Sequence, residues 1–542
     1  MSGNRKRIIW GAGNIGEELV KKYKDSGIVY VLDNDSRKWG ADFFGCTIIS
    51  PNDIEDWSEY EVIVAVIFTK YTAIKKQLLQ KGLVEYRDFW SYKNVVNLYS
   101  AEELQQQIDS FLHGLRRRGD RNRKKILLLG KLNGRHKENV SLYLDRLAEQ
   151  DKEHYWFFLS ESSFGEKNEW FSFMEVLPIP GLFLQNQYKG NPPIPYEVDK
   201  GIDADLTDAA CAMQFGMEGM PINYALSICQ KAEGFYYQVL EILQPDKVYI
   251  WNAFTPLHKV FAKVCKEKKT EVVYVENGVL PGTLAFDKGG QMGESFPAIY
   301  YKEFLRIPVN TEEKKHAKEV VSFLKDSGLN RYQQKEDADF IQAIKNKLLP
   351  NRPVILFAGG LDHMSGLVPH NERAKKYHSP IFGTSGEAAQ YLKKLAKQNG
   401  WNLIYKAHPW LPSDMESDGK GFLCINKGNI NDLIDLCDVV VTIVSQVSYL
   451  ALIRNKPVVM LGYIQLKKQG CTYEAFEREK IADVLSEAVK DGLREEMKAA
   501  FASHVARLEK AYLFDDMTDK GMHIGRDIST QMQKEACRWE RK

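Results

Sequence analysis

Two acidic residues in the segment VVYVENGVLPGTLAFDKGGQMGES, residues 272–295, have the setting that catalysis needs. An apolar run predicts a buried strand whose carboxyl end carries Glu276 and Asn277, and α/β sheets place their ligands at this end. A loop that begins at Pro281 then leads to Asp287. A carboxylate so placed can act as a general base or a nucleophile, and Asn277 can contact an acceptor. Beside glycines, the same carboxylates can instead cap a helix or stabilise a turn.

A second apolar run, KVYIWNA, ends in Asn252. A side-chain amide at the end of a buried strand can hydrogen-bond a sugar hydroxyl, which predicts acceptor binding. The same residue can cap the helix that begins near Pro256. Both interpretations remain open at this point.

Two further segments predict a site for a phosphate group. In YKAHPW a strand ends in Lys406 and His408, a cation and an imidazole suited to a phosphate. In DVVVTIVSQVSYLALI the residues Ser445 and Gln446 lie between a buried strand and the start of a helix. The backbone N–H groups at such a helix start attract anions. Together, and in order, the segments predict that a donor phosphate binds here.

The motif GAGNIG near the N-terminus has the spacing of a dinucleotide-binding turn. Gly11, Gly13 and Gly16 come directly after a strand, and Asp33 ends the next strand, where a ribose-binding carboxylate belongs. The stretches WGAGNIG, VLDND and GCTIISP resemble small Rossmann-like modules that precede sugar-modifying and sugar-transferring enzymes. A nucleotide, a sugar or an NAD-like ligand, or a purely structural role, fits this module.

Apolar runs that alternate with helical stretches predict an α/β fold of two Rossmann-like lobes facing each other, with a small Rossmann-like domain in front. We expect five parts: a Rossmann-like module, a basic helical linker, an acceptor lobe, a donor lobe and C-terminal helices. Their predicted boundaries are 1–98, 99–124, 125–335, 336–480 and 481–542.

Bulk composition excludes several classes of protein. The 542 residues carry a formal net charge of only +2, which argues against nucleic acid as a partner. The 8 cysteines are scattered, as in a protein of a reducing compartment, and we find neither a signal peptide nor a membrane span, so a cytoplasmic location is expected. Contact with the inner face of a membrane would be peripheral. The sequence contains no compact cluster of metal-ligating residues, so we expect no metal site.

The pairing of WNA and VENGVLPGT with KAHP and TIVSQVSYLALIRNKPVV resembles the bacterial capsular polysaccharide synthesis family, over roughly residues 125–462. That family includes β-Kdo transferases, which have a GT-B fold and use CMP-Kdo. The resemblance implies that Glu276 occupies the acidic catalytic position and that His408, Ser445 and Gln446 belong to the segments that hold the nucleotide phosphate. It also implies donor contacts from Asp362 in FAGGLDHMSG.

The sequence therefore predicts a metal-independent glycosyltransferase that needs no cofactor besides its nucleotide-sugar donor, with a CMP-linked donor favoured. A capsular or other surface polysaccharide, or a glycolipid, is the expected acceptor. Two alternatives remain: a CDP-polyol phosphotransferase of the teichoic-acid type, since KxHP also suits phosphate transfer, and a non-catalytic scaffold that binds nucleotide sugars.

Overall fold

A computed structural model describes most of the chain. The described residues are 5–23, 27–66, 68–85, 87–92, 101–118, 124–130, 140–160, 172–179, 203–216, 222–330 and 338–527. Outside them lie the predicted boundaries at residues 98 and 99 and at residues 335 and 336, parts of the linker (residues 99–100 and 119–123) and residues 528–542 of the C-terminal part. Among the described residues, no helix is long and apolar enough to cross a membrane.

The N-terminal part contains the first sheet, with strand order β3-β4-β2-β1-β5-β6. All its pairings are parallel except that of β3 with β4. Its elements are β1 (Lys6–Trp10), α1 (Asn14–Tyr23), β2 (Ile28–Leu32), β3 (Asp42–Phe43), β4 (Cys46–Ile49), β5 (Tyr60–Val64), α2 (Phe68–Gln80) and β6 (Phe89–Ser91). Because β1 lies between β2 and β5, the direction of strand addition reverses at β1, and ligands of open α/β sheets bind at such a reversal.

The middle of the chain forms the second sheet, with order β19-β12-β11-β10-β7-β8-β9. Its elements, with the helix that precedes it, are α3 (Ala101–Arg118), β7 (Lys124–Gly130), α4 (Val140–Gln150), β8 (His154–Ser160), β9 (Met174–Pro178), α5 (Ala204–Gly216), α6 (Ile222–Leu243), β10 (Lys247–Trp251), α7 (Pro256–Glu267), β11 (Glu271–Asn277) and β12 (Thr283–Asp287). The loop expected before Asp287 is therefore an antiparallel strand, β12, paired with β11. The apolar run Leu284–Phe286 favours this pairing because it covers the core beside β11.

The third sheet is entirely parallel, with order β15-β14-β13-β16-β17-β18. Its strands are β13 (Val354–Ala358), β14 (Asn402–Lys406), β15 (Phe422–Ile425), β16 (Val439–Thr442), β17 (Val458–Met460) and β18 (Tyr473–Glu474). The helices between the sheets and around the third are α8 (Phe296–Ile299), α9 (Tyr301–Leu305), α10 (Thr311–Ser327), α11 (Ala338–Lys345), α12 (Glu372–Tyr377), α13 (Ser385–Asn399), α14 (Ile430–Leu436) and α15 (Val447–Ile453). The central strands β13 and β16 are buried along their whole length, which explains their unbroken apolar sequence.

The chain after the third sheet returns to the second. Helices α16 (Ile481–Asp491) and α17 (Glu495–Ala511) share a core with the third sheet, and β19 (Leu513–Asp515) then pairs antiparallel with β12. The C-terminal segment therefore connects both larger sheets. The predicted α/β class, with a small unit followed by two larger ones, is confirmed, while the exact domain boundaries remain predictions.

Candidate active site

The third sheet brings three predicted donor segments to one edge. Strand β13 lies between β14 and β16, so the loops after these three strands meet at the reversal of strand order. These loops carry Asp362, His408 and Ser445, while Lys406 is the last residue of β14. The predicted grouping thus has a topological basis: the carboxyl ends of adjacent parallel strands share an edge.

Asp362, in the loop after β13, is fully buried against the start of α13. Its Oδ2 accepts the backbone N–H of Ser385 at 2.8 Å, and its Oδ1 accepts the Ser385 hydroxyl at 2.6 Å. Burial raises the pKa of this carboxyl to about 6, against the opposing effect of the two hydrogen bonds. These bonds tie the loop after β13 to the first turn of α13. Donor binding by Asp362 remains a prediction.

His408 has one ring nitrogen fixed by the protein. Its Nδ1 accepts the backbone N–H of Trp410 at 3.1 Å, which requires the neutral tautomer with the proton on Nε2. Burial, with the nearby Lys406 and His363, lowers the pKa of His408 to about 4, so the ring is neutral at pH 7. His408 can therefore offer a neutral N–H donor to a ligand oxygen.

The ammonium of Lys406 donates hydrogen bonds to backbone carbonyls. The Nζ donates to the carbonyl of Ala407 at 2.8 Å and to that of Asn426 at 3.3 Å. Burial lowers its pKa to about 8. The bonds to Ala407 and Asn426 stabilise the end of β14, and its predicted contact with a phosphate would have to use the remaining proton.

The turn before α15 joins the two larger sheets. Ser445 Oγ accepts the N–H of Val447 at 3.2 Å. Gln446 Nε2 donates to the carbonyl of Val279 at 2.9 Å and to that of Gly278 at 3.4 Å, in the loop directly after β11. The segment predicted to bind phosphate therefore contacts the loop that follows Glu276.

Glu276 lies near the end of β11 with 8% of its surface exposed. Its backbone pairs with Ala285 of β12, and that of Asn277 pairs with Leu284. Burial raises the pKa of Tyr449 on α15 well above its usual range, and the charge on Glu276 adds to this effect. Glu276 is thus within electrostatic range of a helix of the third sheet. Asn277 is half-buried beside it.

Asp287 uses both carboxylate oxygens in backbone hydrogen bonds. Its Oδ1 accepts the N–H of Gly289 at 2.7 Å and its Oδ2 that of Phe296 at 2.6 Å, at the start of α8. Burial raises the pKa of Asp287 to about 6, although these bonds oppose the rise. The contacts are those of a residue that holds a turn and a helix start, and the catalytic role remains a prediction.

Asn252 has a left-handed backbone, with φ of 52°, and its Oδ1 accepts the N–H groups of Phe254 and Thr255 at 3.0 and 3.2 Å. Of the two interpretations, these bonds match the turn that precedes α7. The buried side chain of Gln291 reinforces this turn, since it accepts from Ala253 N and donates to the carbonyl of Val275, each at 2.7 Å. Acceptor binding by Asn252 would have to use its side-chain NH₂.

Sequence reasoning missed a second set of contacts between the larger sheets. Arg373, on α12, donates from Nε and Nη2 to the two oxygens of the buried Glu294, and His378 Nε2 lies 3.4 Å from the same carboxylate. Asn371 Nδ2 donates to Asp208 Oδ2 at 2.6 Å, which joins α12 to α5. The sequence carries no signal of spacing for these pairs because their partners lie 79 and 163 positions apart.

Lys259 lies near these contacts, and His363 lies near both Lys259 and His408. Lys259, in the first turn of α7, is within electrostatic range of Asp208, Arg373 and Glu294. His363 packs against the end of α5, with its ring centroid 6.0 Å from that of Phe215. Burial and the nearby Lys259 lower the pKa of His363 to about 4. The sequence signal for Lys259 is a lysine in the first turn of a helix that follows a buried strand.

In the N-terminal module, the glycines differ in what surrounds them. A Cβ on Gly16 would lie 2.0 Å from the carbonyl oxygen of Gly11, and one on Gly11 would lie 2.6 Å from that of Ala65. A Cβ on Gly13 would meet no atom within 4 Å. Close packing thus requires the first and third glycines, and the second faces open space, as a phosphate-binding turn needs.

Asp33 contacts the glycine turn directly. Its Oδ2 accepts the N–H of Ala12 at 3.0 Å and the ammonium of Lys38 at 2.8 Å, and its Oδ1 accepts the N–H of Asp35 at 2.9 Å. Burial would raise the pKa of Asp33, but these bonds, led by that from Lys38, hold it below its usual value. A ribose hydroxyl at this carboxylate would have to displace or join Lys38.

Comparison with known proteins identifies one family and several distant structures. Residues 3–88 match a family described as C2185-like, N-terminal. Comparison with curated proteins found no match. Among the described residues, no group of three or more His, Cys, Asp or Glu side chains is placed to hold a metal ion.

Solved structures that resemble the chain include a β-Kdo 2,7 transferase, KpsC of Thermosulfurimonas dismutans, at 16% identity and a TM-score of 0.32, over 50% of this chain and 80% of that one. Another is the UDP-GlcNAc 2-epimerase of Neisseria meningitidis bound to UDP-GlcNAc, at 11% identity and a TM-score of 0.32, over 71% and 97% of the two chains.

Proposed function

We propose that this protein is a glycosyltransferase that takes a sugar from a nucleotide-sugar donor, with a CMP-linked donor favoured. The donor nucleotide binds at the carboxyl edge of the third sheet. The acceptor, a capsular or other surface polysaccharide or a glycolipid, approaches from the second sheet. No cofactor or metal ion is required besides the donor.

The observation that carries this proposal is the contact of Gln446 with the loop after Glu276. A hydrogen bond of 2.9 Å from Gln446 Nε2 to the Val279 carbonyl brings the predicted phosphate-binding turn against the loop that follows the predicted catalytic carboxylate. Transfer between a bound donor and an acceptor needs such a meeting, since the reacting atoms must be held about 3–3.5 Å apart.

The roles of the residues follow from their chemistry. His408 donates its Nε2–H to an oxygen of the leaving phosphate, where a preorganised neutral donor stabilises developing charge. Glu276 takes the proton of the acceptor hydroxyl if the anomeric centre is inverted, or attacks that centre if its configuration is retained by double displacement. The N–H groups at Ser445 add donors for the phosphate.

Incubation of the purified protein with CMP-, UDP- and GDP-linked sugars, a CDP-polyol and a set of glycan acceptors tests the proposal. We expect a glycosidic product together with release of the free nucleotide. A phosphodiester product formed from a CDP-polyol would instead establish phosphotransfer. Nucleotide binding with neither product, over the whole set of donors and acceptors, would contradict catalysis and favour the scaffold.

A further inference from the structure

Lys259 carries a positive charge at a position where the helix dipole and burial both disfavour it. It lies in the first turn of α7, which begins at Pro256, where the positive end of the helix dipole repels a positive charge. Burial lowers the pKa of Lys259, even though Asp208 and Glu294 oppose this effect. Among the described residues, the ammonium makes no hydrogen bond and no ion pair within 4 Å. Burial and the helix dipole therefore both disfavour the charged form at this position.

The carboxylates near Lys259 are engaged elsewhere. Glu294 is bound at both oxygens by Arg373, at 2.6 and 2.7 Å. Asp208 accepts the amide of Asn371 at 2.6 Å, and burial raises the pKa of its carboxyl. Both contacts join α12 to the part of the chain that forms the second sheet, and Lys259, on α7 of that part, is within electrostatic range of both.

The Lys259 ammonium lies near the predicted donor site. Lys259 is within electrostatic range of His363, and His363 is within range of His408. The ring of His363 is neutral at pH 7, and its Nδ1 is buried without a hydrogen-bond partner among the described residues. The ammonium of Lys259 is thus a cation without a bonded partner near His363 and the predicted donor site.

We propose that the ammonium of Lys259 binds an oxyanion of the substrate, a phosphate or a carboxylate, between the second and third sheets. A bound oxyanion would supply the hydrogen bonds that the ammonium lacks and offset both the helix dipole and the adjacent guanidinium. This inference deepens the proposed function and rests on it for the identity of the substrate. It adds α7 to the elements that select an anionic donor or acceptor.

The test measures binding separately from transfer. Isothermal titration calorimetry of the full chain uses inorganic pyrophosphate, CMP, UDP and glucuronate as probes, with the variants Lys259→Met and Lys259→Arg. Lys266→Met is the matched control because Lys266 lies exposed on the same helix. We expect Lys259→Met to weaken at least one probe tenfold or more, Lys259→Arg to stay within about threefold of the wild type, and the control to change nothing.

The pattern of losses identifies the source of the oxyanion. Weaker pyrophosphate and nucleotide binding indicates a phosphate, and weaker glucuronate binding alone indicates a sugar carboxylate. We also expect Lys259→Met to raise the melting temperature, since it removes a half-buried cation from a helix start.

The inference is overturned if no probe depends on Lys259, whether all bind both proteins equally or none binds. Anion binding that depends on Lys259, without transfer from any nucleotide sugar, would leave this inference intact and remove the proposed function.

Discussion

Arg373 and Glu294 form a two-point ion pair that holds α12 against the segment after β12. The Nε–Oε1 distance is 2.6 Å and the Nη2–Oε2 distance is 2.7 Å, and Glu294 is 3% exposed while Arg373 is 55% exposed. Burial would raise the pKa of Glu294, but the bonds from Arg373 and His378 hold it well below its usual range. The pair thus stabilises one relative position of the two larger sheets.

Replacement of Arg373 by Met should destabilise the protein by about 1–2 kcal/mol, less than the 3–5 kcal/mol for a fully buried pair, because the guanidinium is half exposed. Because the folded pKa of Glu294 is depressed, its contribution is present above the usual pKa of about 4.3 and is lost as the pH falls toward the folded value. Urea unfolding of Arg373→Met, Glu294→Gln and the double variant at pH 7 and pH 3.5 measures the coupling. Equal coupling at both pH values would contradict the assignment.

Replacement of Asp362 by Asn should change the pH dependence of stability in the opposite sense. With a folded pKa of about 6, Asp362 holds its proton more tightly in the folded state, so rising pH lowers stability between about 4 and 6. Asn keeps an acceptor for Ser385 N–H and has no such loss. We expect the variant to gain about 2–3 kcal/mol relative to the wild type on going from pH 4 to pH 7, as measured by chemical unfolding. A constant difference between the two proteins would exclude the raised pKa.

Replacement of Glu276 by Gln should lower the rate of sugar transfer by 10² or more, about the contribution of a positioned acid or base, while the nucleotide dissociation constant stays within about threefold. Glu271→Gln is the matched control because Glu271 begins the same strand and is exposed. Steady-state rates and calorimetric titration with the nucleotide measure the two quantities. Full activity of Glu276→Gln would remove Glu276 from the mechanism.

The sequence predicted the parts of this fold that local patterns determine. Unbroken apolar runs such as VILFA and VVVT correspond to the buried strands β13 and β16, because a strand covered on both faces has no polar side. The grouping of Asp362, His408 and Ser445 follows from the same rule, since parallel strands end at one edge. The rule predicts which loops meet without any knowledge of side-chain contacts.

Pairing between distant segments could not be predicted, because local patterns carry no information about a distant partner. Strand β19 pairs with β12, more than two hundred positions earlier in the chain. Its sequence, LFD, contains no pattern that would identify this partner. Arg373 and Glu294 are ordinary charged residues in the sequence, and only the packing of α12 makes them a pair. Asp287 shows the converse: its position among glycines fitted either catalysis or a turn, and its bonds to Gly289 and Phe296 are those of a turn.

Replacement of a crowded glycine of the N-terminal turn by Ala should destabilise the protein more than replacement of the open glycine. Gly16→Ala should destabilise the protein by roughly 1–3 kcal/mol or more, because its Cβ would lie 2.0 Å from the Gly11 carbonyl oxygen. Gly13→Ala should leave the melting temperature unchanged, since its Cβ meets nothing within 4 Å. If the turn binds a phosphate, Gly13→Ala should also weaken that ligand, as measured by thermal shift with ATP, NAD and UDP-GlcNAc. Equal melting temperatures for the two variants would contradict the close packing at Gly16.

His408 should remain neutral and keep one tautomer throughout the physiological range. Its Nδ1 accepts the N–H of Trp410, so protonation of Nδ1 has to break this hydrogen bond. Burial also disfavours the charged ring, and the pKa is therefore about 4. Long-range ¹H–¹⁵N correlation spectra of the histidine side chains should show the Nε2–H tautomer from pH 5.5 to pH 8, and the variant His408→Asn assigns the signal by its loss. Nucleotide binding should shift the Nε2 resonance if that N–H donates to the leaving phosphate. A ring that titrates near pH 6.5 would instead place His408 among exposed histidines and would assign its role in the proposed mechanism to another donor.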